Sequence, residues 1–391
     1  MNALKTVYAD FHIHIGRTSH NHPVKITAAK NMTFENIVKE AHHRKGLGMI
    51  GVIDSQSPPV QEDIISGLQS GLFREHPDGG IVYEETTCLL GAEIEIREPD
   101  MGPAHVLVFL KTWEKMQQFT DWLKKSMKNV QLSTQRLYQP VLKLQEKVEE
   151  LDGLFIPAHI FTPFKSVYGS ATDSMGKLFD LKKVSAVELG LSSDSELADR
   201  ISELNAFPFL TNSDAHSLPK IGREYNKLLV KEASFEEFRK VLSGKDGRRI
   251  LKNYGLNPRL GKYYRTRCLQ CGELWPHEET EACIHCGSMK KVKGVLDRIL
   301  KISDQPCRHP AFRPLYHYQV PLEFIPKLGK KTLEKLLDTF GTEMNVLHEA
   351  PVEEIERVAG SKIAHHIQMA RKQKLAFEEG GGGIYGRVKS S

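Results

Sequence analysis

Short apolar stretches alternate with helix-like stretches from the start of the chain to about residue 230. The strand-like stretches are VYADFHIHI, MIGVID, LLGAEIEI, HVLVFL, LFIPAHI, SAVELGL and FPFLTNSDAH. Between the first two lies TFENIVKEAHHRKG, a predicted helix with Thr33 as its N-cap and Gly46 at its exit. Apolar strands that alternate with helices pack as a layer or barrel with both faces buried. The pattern therefore predicts an α/β fold with a mostly parallel core.

Composition sets few further limits. The 391 residues suffice for two or three domains, and 40% hydrophobic with 26% charged residues is typical of a soluble globular protein. No apolar run approaches the roughly 18–20 residues of a membrane helix, and MNALKTVYADF lacks the apolar core of a secretory signal. The net charge of +5 permits a polyanionic partner without demanding one.

Residues with metal-binding side chains stand at the ends of the predicted strands. His12 and His14 are two apart, so a strand places both imidazoles on one face. The later strands carry Asp54, Glu93, His105, His159, Asp214 and His216. A lone histidine on a strand is more often a core or surface residue, but this repeated pattern favours a metal cluster. Imidazole and carboxylate together suit zinc, manganese or iron.

The order of these motifs resembles the PHP (polymerase and histidinol phosphatase) family. The matching motifs are D-F-H-I-H, the strand that ends in Asp54, G-A-E, H-V-L, P-A-H and S-D-A-H, over about residues 5–225. The resemblance implies a distorted (β/α)7 barrel, a phosphoesterase with up to three metal ions, and a domain over 1–255. It also implies the metal ligands, namely His12, His14, Asp54, Glu93, His105, His159, Asp214 and His216.

The chain departs from the family pattern in the second motif. Ser55 follows Asp54 where a histidine is common, and either His20 or His22 could supply a third early histidine. Both points leave the number of ions open. Glu188 is a second-tier candidate with a supporting role, and Asp10 is expected to orient an imidazole.

The resemblance implies phosphoester hydrolysis at this cluster. Divalent zinc, magnesium or manganese ions polarise phosphoryl oxygens and make hydroxide available near neutral pH. Asp214 would orient the water or accept its proton. Glu93 and His216 complete the predicted catalytic set.

A cysteine-rich segment predicts a small zinc domain over 256–300. Cys268 and Cys271 form one C-x-x-C pair, and Cys283 and Cys286 form a second. Four thiolates at this spacing can close one tetrahedral structural zinc site. The preceding Lys262, Tyr263, Tyr264, Arg265 and Arg267 suit nucleic-acid contacts, although an ordinary solvated face explains them equally well.

The segment over 301–376 is predicted to be helical, and IPKLGKKTLEKLLDTFG within it is similar to a helix-hairpin-helix motif. EEIERVAGSKIAHHIQMARK looks like a degenerate second copy; the alternative is a helical bundle with glycine turns. Such hairpins bind DNA phosphates through backbone N–H groups. The predicted DNA-binding residues are Lys327, Gly329, Lys330, Lys331, Gly360 and Lys362. Residues 377–391 contain Gly380–Gly383 and are predicted to be a flexible tail.

The whole architecture resembles the endonuclease Q family, from the PHP motifs through IPAHIFTPFKSVYGS to the cysteine-rich insert. The resemblance implies cleavage of duplex DNA on the 5′ side of deaminated bases (uracil, hypoxanthine, xanthine) and at abasic sites. The lesion would be turned out of the stack. Phe161, Phe164 and Tyr168 are candidates for its pocket, or equally core aromatics.

Three other functions stay open at this point: a PHP-type 3′–5′ exonuclease, a phosphatase of the histidinol-phosphate type, and a DNA-binding adaptor with a decayed centre. We expect a cytoplasmic, nucleoid-associated monomer with no membrane partner. A sliding clamp is left open as a further partner.

Overall fold

The computed structural model describes residues 3–275 and 280–389. Its strands are β1 (Lys5–Ile13), β2 (Met49–Val52), β3 (Arg74–Glu75), β4 (Ile81–Tyr83), β5 (Thr86–Ile96), β6 (Ala104–Leu110), β7 (Leu154–Pro157), β8 (Val187–Glu188), β9 (Phe209–Leu210), β10 (Tyr225–Val230), β11 (Arg249–Gly255), β12 (Arg267–Cys268), β13 (Lys291–Val292), β14 (Tyr316–Tyr318), β15 (Phe377–Glu378) and β16 (Arg387–Val388). Its α-helices are α1 (Phe34–Lys39), α2 (Pro58–Gln69), α3 (Trp113–Lys124), α4 (Val141–Glu150), α5 (Ser195–Ala198), α6 (Phe235–Ser243), α7 (Val295–Ile302), α8 (Lys330–Phe340), α9 (Glu343–His348), α10 (Val352–Ala359) and α11 (Ser361–Arg371).

A closed ring of strands forms the barrel. The large sheet joins β1, β2, β5, β6 and β7 in that order. The ring continues because Ile160 N–H donates to Glu188 O, β8 pairs with β9, and Ala215 N–H donates to His12 O beside β1. This arrangement confirms the PHP-type barrel of the α/β class.

The predicted mostly parallel core is corrected to a mixed one. β1, β2 and β5 pair in parallel, but β6 is antiparallel to both β5 and β7. The connection over residues 97–103 explains the reversal, because a parallel crossover needs about a dozen residues or more.

The core lies on both sides of the sheet, as the apolar strands predict. On one side, Phe11 of β1 stacks on Phe238 of α6 with ring centroids 4.0 Å apart, and Phe109 of β6 meets both rings edge-on. These three rings are fully buried. They fix one face of β1 against α6 and β6, and the histidines of β1 project from its other face.

The first helix begins and ends as predicted. Thr33 caps α1 by accepting the Asn36 N–H. The chain continues as a π-helical turn over Glu40–Lys45 and leaves at Gly46, whose φ of 79° is the left-handed conformation that favours glycine.

The C-terminal helices dock on this same π-helical turn. Arg44 forms two hydrogen bonds with Glu334 of α8, at 2.9 and 2.7 Å. Lys45 is buried and lies 2.9 Å from Glu343 of α9. Among the described residues, none of the helices has the length and apolar content that a membrane crossing requires.

The glycine-rich end of the chain makes defined contacts, and its predicted flexibility as a tail stays a prediction. β15 and β16 form a short antiparallel hairpin. Gly380 N–H donates to Arg259 O, and Gly386 N–H donates to Leu260 O. The glycines permit a close approach here, since a side chain on Gly386 would meet Glu378 O at 2.3 Å. The predicted domain boundaries at 256, 301 and 377 stay predictions.

Candidate metal centre

Histidines and carboxylates from the barrel strands meet at one edge. His12 lies in β1 and His14 follows it, while Glu93 lies in the second half of β5. His105 is at the start of β6, where it pairs with Glu95, and reaches the same edge because β6 runs antiparallel. His159, Asp214 and His216 follow β7 and β9, and Glu188 ends β8.

The buried carboxylate of Glu93 lies in the middle of the cluster. Its Oε1 lies 2.8 Å from His105 Nδ1 and 3.4 Å from His159 Nε2. The same oxygen lies 3.5 Å from His12 Nε2, and Oε2 lies 3.5 Å from His14 Nε2. One carboxylate thus faces four imidazoles, as a bridging ligand would.

Charge keeps this carboxylate ionised. Burial alone would raise the pKa of Glu93, but the positive charges of His105 and Lys25 hold it well below its usual value. Lys25 Nζ lies 3.5 Å from Glu93 Oε2, and Thr134 donates a hydrogen bond to the same oxygen. An ionised carboxylate is the form that binds a cation.

His12 and His14 are held with Nε2 toward the cluster. Glu188 lies 3.0 Å from His12 Nδ1, and Asp54 lies 3.2 Å from His14 Nδ1. A carboxylate that accepts Nδ1–H leaves the Nε2 lone pair free to bind a metal. His12 Nε2 is buried without a hydrogen-bond partner. This atom, which would be costly to bury unpaired, fits a ligand of a divalent ion.

Glu188, rather than Asp10, is the carboxylate that orients His12. Asp10 was predicted to orient an imidazole, but it accepts the backbone N–H groups of Ser213 and Gly222 at 3.0 and 2.9 Å. Glu188 orients His12 in its place. The alternation of side chains along β1 predicted which side of the sheet each residue faces. It did not predict which neighbouring strand supplies the hydrogen-bond partner of an imidazole.

Asp54 lies behind His14 rather than among the inward-facing ligand atoms. Its Oδ2 accepts the Ile15 N–H at 2.8 Å besides contacting His14 Nδ1. These contacts orient His14. Asp54 Oδ1 is buried without a hydrogen-bond partner, and direct ligation by Asp54 stays a prediction.

Asp214 and His216 complete a second group with His14. Asp214 Oδ1 lies 3.4 Å from both His12 Nε2 and His14 Nε2. The side chain is 35% exposed, so it faces solvent as well as the cluster. Asp214 and His159 have φ values of 47° and 29°. Such strained backbone concentrates at functional sites.

The cluster fits divalent cations by its donor set. Three overlapping groups among the described residues place their ligand atoms within 4.8 Å of one another. These groups are His12–His14–Glu93, His14–Asp214–His216 and Glu93–His105–His159. Mixed imidazole and carboxylate donors suit zinc or manganese. His20 and His22 join none of these groups, and the His20 side chain is 69% exposed beside Asp63.

A basic cavity opens beside Asp214 and His216. Its volume is about 650 Å³, and Lys220, Arg223 and Lys262 line it together with Tyr263 and Tyr385. Arg223 is held in place because it donates to Ser213 O at 2.8 Å and to Tyr385 Oη at 3.0 Å. The cavity can therefore receive an anionic group next to the candidate ligands.

Known proteins match this chain in sequence or structure over nearly its full length. The PHP-associated family model matches residues 193–245, and the MJ0043 C-terminal domain model matches residues 328–374. Uncharacterized protein YqxK of Bacillus subtilis (strain 168) is 52% identical over 389 residues, which span 99% of this chain and 100% of that protein. The lesion-specific endonuclease PfuEndoQ from Pyrococcus furiosus is 33% identical, with a TM-score of 0.86 over 98% of this chain and 95% of that chain. The chain belongs to the endonuclease Q family.

A second solved endonuclease Q agrees with this assignment. It is 32% identical, with a TM-score of 0.86 over 99% of this chain and 97% of that chain. That structure is a complex with a 27-mer duplex substrate that has an abasic lesion at the active site. As an endonuclease Q with this cluster, the chain is a metal-dependent phosphodiester hydrolase.

Four cysteines of this endonuclease Q come together as the sequence predicts. Cys268 Sγ lies 3.6 Å from Cys286 Sγ, and Cys271 Sγ lies 3.6 Å from Cys283 Sγ. A tetrahedral zinc with Zn–S bonds of about 2.3 Å separates its sulfur ligands by roughly 3.8 Å. The group therefore fits a metal ion, and its identity as structural zinc stays a prediction.

The predicted DNA-binding residues lie at two hairpins on the surface. Gly329 precedes α8, and Gly360 connects α10 to α11; a side chain at either position would meet nothing within 4 Å. Lys327, Lys330, Lys331 and Lys362 are all exposed at these hairpins. Their role in binding DNA stays a prediction.

The predicted aromatic pocket is largely core. Phe161 and Tyr168 are buried and stack with ring centroids 5.3 Å apart. Tyr168 also donates a hydrogen bond to Glu203 at 2.7 Å, so its hydroxyl is already paired within the protein. Phe164 is 59% exposed and meets Tyr263 edge-on.

Sequence reasoning missed most of the basic cavity. Lys262 and Tyr263 lay in the segment of alternating cations and aromatics, so a signal for them existed. Tyr385 stands in the glycine-rich end, which offered no signal. Lys220 and Arg223 follow the last metal motif and carry no motif of their own.

Proposed function

We propose that this endonuclease Q is a DNA repair enzyme that cuts duplex DNA on the 5′ side of deaminated bases (uracil, hypoxanthine and xanthine) and at abasic sites. The observation that carries the proposal is the meeting of the ligand cluster and the basic cavity at Asp214 and His216. The full-length similarity to an endonuclease Q bound to duplex DNA with an abasic lesion supports it.

The charge of the cavity suits a DNA phosphate. Burial and the nearby charges of Arg223 and Lys220 lower the pKa of Lys262. These cations repel one another, and an anion between them would relieve that repulsion. Arg223 can bind phosphate through two N–H groups, which gives orientation as well as attraction.

The cavity also has room for a nucleotide turned out of the helix. A volume of about 650 Å³ lies in the usual range for small-ligand sites. Tyr263 offers an aromatic face on which a base can stack, in place of the buried Phe161 and Tyr168. The ring of Tyr385 already has Lys262 Nζ 4.7 Å from its centroid, so it holds a cation beside that base. An abasic sugar would leave this space unfilled, so both lesion types can be accommodated.

Side chains of the protein position the groups that react. When bound, divalent ions supply polarisation of the phosphoryl oxygens and a hydroxide at neutral pH. Asp214 accepts a hydrogen bond from the attacking water at a carboxylate oxygen, because its side chain is open to the cavity. Burial alone would raise the pKa of Asp214, but the nearby imidazoles of His12 and His14 outweigh that effect and hold this pKa well below its usual value. This carboxylate therefore stays ionised for that task.

The C-terminal hairpins would hold the duplex away from the cut. Gly329 and Gly360 leave open space where a side chain would otherwise stand at the starts of α8 and α11, so a phosphate could approach the first backbone N–H groups of these helices. Contacts of this kind to the DNA phosphates do not depend on the base sequence. This suits an enzyme that must find lesions in any sequence context.

Duplexes labelled at one 5′ end test the proposal. Each carries one internal uracil, hypoxanthine or abasic site, and the matched control has the undamaged sequence. We expect one internal nick on the 5′ side of each lesion with manganese or magnesium, and none in the undamaged duplex.

The other functions give different products in the same assay. A ladder from the end would indicate an exonuclease, and phosphate released from histidinol phosphate would indicate a small-molecule phosphatase. Tight duplex binding without a product under any divalent metal would indicate an adaptor. Each of these results would overturn the proposal.

A further inference from the structure

We propose that His42, His43 and Glu84 form a further zinc site, on the opposite end of β5 from the metal centre. Glu84 Oε2 lies 2.9 Å from His42 Nε2, and Glu84 Oε1 lies 3.4 Å from His43 Nε2. His43 Nε2 also lies 2.9 Å from Tyr83 Oη, a contact that a bound zinc would replace. The three ligand atoms lie within 4.8 Å of one another. The site is separate from Glu93, since the seven-residue span from Thr86 to Glu93 is roughly 23 Å of strand.

Local backbone geometry brings the two adjacent histidines together. His42 and His43 lie in the π-helical turn Glu40–Lys45, and their ring centroids are 4.8 Å apart. π-Helical turns are rare in proteins overall, and those that occur are often found at functional sites. Glu84 occupies the turn between β4 and β5 with a φ of 48°, which an L-residue with a long side chain rarely adopts.

The tautomer of His42 is fixed by Thr86. The hydroxyl of Thr86 has one hydrogen, which it donates to Leu47 O at 2.7 Å. Thr86 Oγ1 therefore accepts from His42 Nδ1 at 3.1 Å. A neutral His42 then presents its Nε2 lone pair to the Glu84 carboxylate. Two acceptors 2.9 Å apart repel, and a cation between them turns the contact into an attraction.

The donor set identifies the class of cation. Two imidazole nitrogens and a carboxylate oxygen suit zinc, with solvent as the remaining ligand. The side chains of His43 and Glu84 are 53% and 50% exposed, so the ion can enter and leave freely. Because Arg44 and Lys45 of the same turn hold α8 and α9, zinc here would brace the joint between barrel and C-terminal helices.

Zinc counting by mass spectrometry after equilibrium dialysis at buffered free zinc tests this site. We compare the full-length wild type with His43→Gln and with Glu84→Asn. Asparagine tolerates positive φ, so Glu84→Asn removes the carboxylate while it keeps the turn. The matched control is His365→Gln, an exposed histidine on α11.

We expect the wild type and His365→Gln to hold one zinc more per chain than His43→Gln and Glu84→Asn. We also expect added zinc to raise the unfolding temperature further in the wild type than in Glu84→Asn, although the zinc-free Glu84→Asn chain is at least as stable. Equal zinc counts in all four proteins would overturn the proposal and leave a protonated His42–Glu84 ion pair as the explanation.

Discussion

Single hydrogen bonds decide what the histidines of the metal centre can do. Glu188 accepts from His12 Nδ1, and it also accepts the backbone N–H of His159 at 2.8 Å and the amide of Asn212 at 2.8 Å. Three partners fix this buried carboxylate in one orientation. It therefore fixes His12 and the strained turn at His159 together.

Substitution of Glu188 by glutamine should weaken metal binding. The change keeps the shape but removes the charge that favours Nδ1–H on His12, and loss of such a partner typically costs about 10–100-fold in metal affinity. We expect the manganese concentration for half-maximal nicking to rise by that factor, with activity recovered at high manganese. Glu203→Gln, at the carboxylate that binds Tyr168, is the matched control. An unchanged manganese requirement in Glu188→Gln would contradict the orienting role.

For single residues, the sequence indicated which side chains gather in the cluster but not which residues lie next to them in the folded chain. The histidines, Glu93 and Asp214 were found because their chemistry and strand-end positions are local signals. The partners of His12, and Arg223 with Tyr385, come from segments far apart in the chain. Their proximity depends on tertiary packing, which no local pattern contains.

At the level of elements, the sequence predicted the strands but not all of their directions. Apolar runs such as HVLVFL identify β6 by composition alone. Its direction depends on the short 97–103 connection, and its reversal brings His105 at the strand start to the metal edge. The predicted role of His105 as a ligand stays a prediction, although its side chain does reach the cluster from the start of a strand rather than from its end.

An aromatic joint connects the C-terminal helices to the barrel. His348 of α9 stacks on Tyr8 of β1 with ring centroids 4.8 Å apart and accepts a hydrogen bond from Tyr225 at 2.7 Å. Burial, with the nearby charge of Lys227, lowers the pKa of His348 from 6.5 to about 3. The folded protein therefore keeps this imidazole neutral where an unfolded chain would protonate it.

The stability of the joint should fall on acidification. Below pH 6.5, His348 binds a proton in the unfolded state but stays neutral in the folded state. The free energy of unfolding therefore decreases as the pH falls from 6.5 toward about 3. We expect urea unfolding to show this loss in the wild type and in His365→Gln. His348→Gln should be less stable above pH 6.5 but should show a shallower loss below it. An equally steep loss in His348→Gln would argue against this histidine as the source.

The hairpin at Gly329 should bind DNA through charge and backbone. Lys330 and Lys331 are exposed at the start of α8, so Lys330→Ala/Lys331→Ala should leave folding intact. We expect weaker binding of every duplex, damaged or not, and a salt dependence reduced by about 1–2 in slope. Lys335→Ala, farther along the same helix, is the control. Unchanged affinity and slope in the double variant would remove this hairpin from the DNA interface.

Over the whole molecule, distant parts of the chain build one site. The barrel supplies the ligand cluster, and the segment just after the last metal motif supplies Lys220 and Arg223. The hairpin of β15 and β16 supplies Tyr385. The composition at the end of the chain predicted a flexible tail because Gly380–Gly383 is typical of linkers. In the structure this segment makes backbone contacts to Arg259 and Leu260, and Tyr385 accepts a hydrogen bond from Arg223.

The most direct test of the account is single-turnover nicking of a duplex with one internal uracil, by the wild type and by Asp214→Asn with manganese. We expect one nick on the 5′ side of the uracil by the wild type. We expect the nicking rate to be lower by at least about a hundredfold in Asp214→Asn, because the carboxylate that positions the water is lost. Fluorescence anisotropy should show that both proteins bind the duplex. Nicking by Asp214→Asn at the wild-type rate, or no nick by the wild type beside any lesion, would contradict the account.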